Sequence, residues 1–152
     1  MWTGPAEGRH DRRPQEYMAI TWDKSDEALL QAVIGMPHGQ ARWEAYMFTL
    51  AMRQWCHSDL IGRIVLIGDA EGVISSLCRF SSKDPVINSM AKEIGLWLAP
   101  WGYSLEGVHI WSEQNTWADA LSRQTVLVQL HQIRCTAPYD RSASSWKMMG
   151  RS

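Results

Sequence analysis

Cysteine is scarce in this chain, with three among 152 residues. Cys56, Cys78 and Cys135 are far apart, odd in number and without a C-x-x-C spacing, which argues against a disulfide framework and a zinc site and fits a reducing compartment. An excess of charge of one sign is also lacking: 15 basic and 16 acidic residues give a formal net charge of −1. No overall basic field advertises nucleic acid, so any such contact has to be local. No apolar run approaches transmembrane length, and the first fourteen residues carry Arg9, Arg12 and Arg13 without the apolar centre of a secretory signal. The expected location is cytoplasmic or nuclear rather than secreted, with no membrane partner. What remains is 45% hydrophobic and 20% charged, the composition of a globular protein long enough for one domain with a proper core.

Residues 1–15 are rich in Gly, Pro, Arg and His and read as a disordered N-terminal segment. The folded domain is expected over 16–130 and a flexible tail over 131–152. Tyr17 to Trp22 has the aromatic and β-branched content of a strand, and the polar turn Asp23 to Asp26 can cap a short helix through Ala28 to Ile34. From Gln40 to Trp55 apolar residues recur at helical spacing. Arg63 to Asp69 is a continuous apolar run ending in Gly-Asp, the pattern of a buried strand whose last residue emerges at the sheet edge. A helix from Ala70 to Cys78 follows. Asp84-Pro85 then reads as an N-cap with proline at the first helical position, opening a helix that Pro100 and Gly102 stop. Tyr103 to Trp111 can form another strand, Asn115 to Ser122 a short helix, and Gln124 to Leu130 a further apolar-alternating run. This order of strands and helices predicts an α/β domain, a sheet with helices on its faces.

Three acidic residues stand where chemistry can use them. Glu44 lies on the long helix in line with Phe48, Ala51 and Trp55, at the margin of its apolar stripe. Asp69 ends the buried strand, and Asp119 sits in the late helix among small and apolar neighbours, where a carboxylate wants a partner or a metal. Carboxylates at a strand end and on flanking helices can converge, and such hard oxygen ligands suit Mg²⁺ or Mn²⁺. Two ions about 4 Å apart would activate a water and stabilise the leaving 3′ oxygen of a phosphodiester. Each residue also has a plainer reading: a lone Glu on an amphipathic helix is usually a solvated boundary charge, and an Asp before a helix is usually a cap.

The segment Val108 to Arg123, with H-I, then Asn115, then A-D-A-L-S-R over residues 118–123, resembles the end of the ribonuclease H-like domain in reverse transcriptases of gypsy-type and DIRS-type retroelements. The likeness runs from Glu16 to Arg123, through E-Y-M-A-I-T-W, G-Q-A-R-W-E with Glu44, and I-V-L-I-G-D with Asp69. It implies a ribonuclease H-like mixed sheet with flanking helices, and Glu44, Asp69 and Asp119 as catalytic, metal-binding carboxylates. It also implies an RNA–DNA hybrid as substrate, Mg²⁺ or Mn²⁺ as cofactor, and a nuclease-type hydrolase activity on phosphodiester bonds.

The family's first strand is central in its sheet and carries a further Asp in a segment like T-D-A-S. Only Asp11 stands before Tyr17, in a stretch with no strand pattern, so the domain is expected to be N-terminally truncated, with its first strand missing. The turn before Asn115 is Ser112-Glu113 where the family has Pro-Gly, and His109 falls within the strand, where it serves packing or hydrogen bonding. The resulting expectation is a degenerate ribonuclease H-like domain of a retroelement reverse transcriptase with little or no hydrolysis in isolation. The alternatives are a non-catalytic nucleic-acid-binding or structural remnant of a decayed element, and an unselected product that does not unfold cooperatively. Trp22, Trp43, Trp55, Trp97, Trp111 and Trp117 fall on apolar faces and are expected mostly in the core, while Arg42, Arg53 and Arg63 are candidates for phosphate contact or for solvent.

Overall fold

The computed structural model describes residues 15–17, 20–56, 62–115 and 132–134. Its elements in chain order are β1 (Gln15–Tyr17), α1 (Lys24–Leu30), α2 (Gln40–Trp55), β2 (Arg63–Gly68), α3 (Glu71–Cys78), α4 (Pro85–Leu98), β3 (Ser104–His109) and β4 (Gln132–Arg134). The α/β class read from the sequence is present. Among the described residues, however, the strands form two separate parallel pairs, β1 with β4 and β2 with β3, rather than one mixed sheet. Residues 132–134, placed in the tail by their composition, have strand backbone paired with 15–17. The expected helix after Asn115 and the run 124–130 lie outside the described residues. Among the described residues no helix is long and apolar enough to cross a membrane.

Residues 20–22, expected within the first strand, are not in strand conformation, since burial of the Trp22 indole competes with strand pairing. Trp22 leaves extended pairing and packs its ring 5.1 Å from Trp43 and 5.7 Å from Tyr46, both on α2. Helix α1 begins four residues before Ala28. The Asp23 carboxylate accepts from the amides of Ser25 and Asp26, at 2.8 and 3.2 Å, while Asp26 accepts in return from the Asp23 amide at 2.9 Å. This reciprocal box satisfies donors that a helix start leaves open. The helix ends where Gln31 turns left-handed, at φ +51°. Arg42 then donates to the carbonyls of Leu30 and Gln31, at 3.1 and 3.0 Å, satisfying acceptors that the helix end leaves open.

Helix α2 spans the residues its periodicity predicts. Gly39 precedes it at φ +94°, where a Cβ would stand 2.6 Å from the Ala32 Cβ, so glycine answers both the backbone and the space. The buried side of α2, with Trp43, Tyr46, Leu50 and Ala51, packs against α4 and α3. Helix α4 presents Val86, Ile87, Met90, Ile94 and Leu98 to the same core. The β2–β3 pair runs in register from Arg63 opposite Ser104 to Gly68 opposite His109, and α3 and α4 form the crossover that parallel pairing needs. Gly107 lets β3 approach α3 closely, since a Cβ there would meet Ile74 Cγ2 at 2.3 Å. Gly68 is similarly enclosed, with Phe48 Cζ 3.0 Å from where its Cβ would lie.

The three candidate arginines each pair with an acid of the chain, and Arg63 does so while remaining exposed. Arg42 pairs with Asp84 at 2.9 Å, Arg53 with Glu93 at 2.5 Å, and Arg63 with Glu106. The predicted cap at Asp84 is present: its carboxylate accepts from the amides of Val86 and Ile87, at 2.9 and 3.1 Å. Partial burial pushes the Asp84 carboxyl up, but those amides and the Arg42 guanidinium outweigh it and hold its pKa below the ordinary value. A depressed carboxyl stabilises the fold above its unfolded pKa, and that contribution disappears as pH falls through the folded value. Asp84→Asn is therefore expected to lower the melting temperature at neutral pH, with the gap to wild type closing below about pH 4. Thermal melts of both proteins across that range check it; a gap independent of pH would exclude the charge as its source.

Candidate functional site

Asp69 follows Gly68 directly, so the end of β2 carries its carboxylate out of the strand into an exposed position. The chain leaving β3 closes over this end. The Ile110 amide donates to the Gly68 carbonyl at 2.9 Å, one step past the last strand pair. Beyond it, Ser112–Gln114 form a single 3-10 turn, whose Gln114 amide donates to the Trp111 carbonyl at 2.8 Å. That turn aims two side chains at the carboxylate. Ser112 Oγ donates to Asp69 Oδ2 and Asn115 Nδ2 to Asp69 Oδ1, both at 3.2 Å. Each oxygen of Asp69 thus accepts one bond from a neutral donor and keeps acceptor capacity for another partner.

Glu44 comes to this region from the first half of α2, half-buried, with Gln40 Nε2 donating to its Oε1 at 3.2 Å. Its pKa is raised: burial pushes the carboxyl up, the Gln40 bond opposes that, and the charge of Asp69 adds to the upward push. The two residues are thus close enough to interact electrostatically, although they stand on different elements. Among the described residues neither takes part in an ion pair. Asp119, the third candidate, lies outside the described residues.

Whether this pair fits a divalent ion turns on donor type and number. Mg²⁺ is commonly held by one or two carboxylates, with waters and substrate phosphates completing its shell, so Glu44 and Asp69 are of the donor type that one hydrated ion takes. Among the described residues no group of three or more His, Cys, Asp or Glu is gathered for a metal, so they do not by themselves build a two-ion site. Neither of the described cysteines, Cys56 and Cys78, joins a group gathered for a metal. Cys56 and Cys78 are free thiols raised in pKa by burial, Cys56 to about 11, and so are protonated at neutral pH.

Ser112 and Asn115 are neighbours of Asp69 that sequence reasoning did not assign. Their signal was present in the polar turn that carries Asn and replaces Pro-Gly with Ser-Glu. His109 ends β3, exposed, with its ring edge-on to Trp111 at 5.2 Å. Among the tryptophans expected in the core, Trp43 is buried and Trp22, Trp55 and Trp97 are half-buried, while Trp111 is 68% exposed. Trp111 stands outside the core as do the last four residues of β3 before it, all of them exposed. Trp117 lies outside the described residues. Comparison of the chain with protein families, curated proteins and solved structures finds no match.

Proposed function

We propose that the chain is a degenerate ribonuclease H-like domain of a retroelement reverse transcriptase, descended from a metal-dependent hydrolase of RNA in RNA–DNA hybrids. The observation that supports it most is that the charge of Asp69 bears on the carboxyl of Glu44. A helix carboxylate and a strand-end carboxylate, 25 residues apart in the chain by their numbering, influence one another electrostatically at the carboxyl end of a parallel strand pair. Open α/β sheets place their ligand sites at that end. A bound Mg²⁺ or Mn²⁺ would there offset the charge of an attacked phosphodiester. The chain's own contribution is positional: Ser112 and Asn115 hold Asp69 in one orientation, and Gln40 orients Glu44 from the preceding turn of α2.

The second reading is a non-catalytic remnant, and one observation favours it. Asp69 ties the turn after β3 to the end of β2 through its two accepted bonds, which gives it a structural role without any metal. Cleavage of a labelled RNA–DNA hybrid in Mg²⁺ and then Mn²⁺ separates the two. The degenerate-enzyme reading predicts at most slow cleavage, faster in Mn²⁺ and lost in both Asp69→Asn and Glu44→Gln. Hybrid binding without cleavage, unchanged in Asp69→Asn, would favour the remnant.

A further inference from the structure

Trp111 has the highest exposure of the large apolar side chains among the described residues, yet its backbone is fixed on both sides. On one side Ile110 bonds to Gly68; on the other the Trp111 carbonyl accepts from Gln114 and Asn115, at 2.8 and 3.2 Å. The residues that hold it are those that hold Asp69, since Ser112 and Asn115 donate to that carboxylate. The His109 ring stands edge-on to the indole, with 75° between the planes, so the side chain is also braced. A rigid backbone and a ring with two side-chain torsions present a large apolar face to water at little further entropic cost on binding.

We propose that Trp111 is a stacking platform for an unpaired nucleobase flanking the strand presented to Glu44 and Asp69. The proposal rests on the nucleic-acid reading above. Aromatic rings bind bases through their π-faces and tolerate any sequence. The charges of this turn favour a base over a backbone contact: Asp69, which the turn holds, and Glu113 within it are acidic, and phosphates laid directly against them would be repelled, whereas a base is neutral. The stack needs an uncovered base. Inside a continuous duplex both faces are occupied by neighbours, so the platform selects a single-stranded overhang or a frayed end.

Fluorescence anisotropy of the full chain with two labelled RNA–DNA hybrids, one blunt and one with a short single-stranded overhang, tests this. The overhang should tighten binding about 5- to 100-fold, the range that base–aromatic stacking supports. Trp111→Ala should abolish that gain, Trp111→Phe should keep most of it, and Trp101→Ala should leave it intact. Trp101 is the control because it is 53% exposed but precedes β3, at the far end of the strand from Asp69. Thermal melts verify that each variant folds. Equal affinity for the two hybrids, or a gain that survives Trp111→Ala, would overturn the platform while leaving the carboxylate reading intact. Failure of the wild type to bind either hybrid would overturn both.

Discussion

Arg53→Ala is expected to cost about 3 kcal/mol of stability, the lower end of what breaking a buried ion pair does. The pair joins the last turn of α2 to the middle of α4. Both Arg53 Nε and Nη2 donate to Glu93 Oε1, at 3.0 and 2.5 Å, and the two side chains are only 12% and 8% exposed. Alanine would leave a carboxylate in a site that water reaches poorly, beside Met90, Ala91 and Ile94 on its own helix. Both side chains keep slight exposure to solvent, which is why the lower end of the range applies. The cost belongs to the stranded charge rather than to the lost attraction, and this distinction is measurable. Arg53→Met combined with Glu93→Leu removes both charges while retaining apolar bulk, so the double variant should recover most of the loss. Urea unfolding gives the comparison through a shifted midpoint at unchanged slope. A loss below about 1 kcal/mol in Arg53→Ala would place the pair among solvent-screened surface bridges.

This pair also marks where sequence reasoning ends. Local pattern located α2 from the recurrence of Trp43, Tyr46, Met47, Leu50 and Trp55, β2 from its apolar run, and the start of α4 from Asp84-Pro85. Each depends on neighbours within a turn or a strand, which the sequence displays directly. The fates of Arg42, Arg53 and Arg63 depend on acids 40 or more positions away, at Asp84, Glu93 and Glu106. No local pattern distinguishes those arginines from cations waiting for phosphate. The Trp22 error has the same origin, since its contact with Trp43 and Tyr46 crosses from one element to another and overrides the strand propensity of Thr21 and Ile20. Of the candidate site, the positions of Glu44 and Asp69 were legible from helix phase and strand end. The grip of Ser112 and Asn115 on Asp69 was not, because it depends on β3 lying beside β2 in one register.

Saturating Mn²⁺ or Mg²⁺ is expected to raise the melting temperature of the wild-type chain by about 5–10 °C, and Asp69→Asn to abolish the shift. A ligand at roughly 100 times its dissociation constant stabilises a fold by about 2.7 kcal/mol, which for a chain of this size corresponds to several degrees. The physical basis is the unbalanced charge at the carboxyl end of β2. The charge of Asp69 adds to the upward push on the Glu44 carboxyl, no cationic side chain among the described residues pairs with either, and a divalent cation bound there would offset that charge. Asparagine at position 69 keeps one side-chain oxygen to accept from Ser112 or Asn115, so the turn after β3 retains part of its tether while the charge is gone. The experiment therefore separates the two roles of this residue. If Asp69 serves as a cation ligand, Asp69→Asn melts near the wild type without metal and fails to respond to it. If Asp69 serves only to hold the turn, wild type and variant are equally indifferent to the cation, and the push of Asp69 on the Glu44 carboxyl is simply tolerated by the fold.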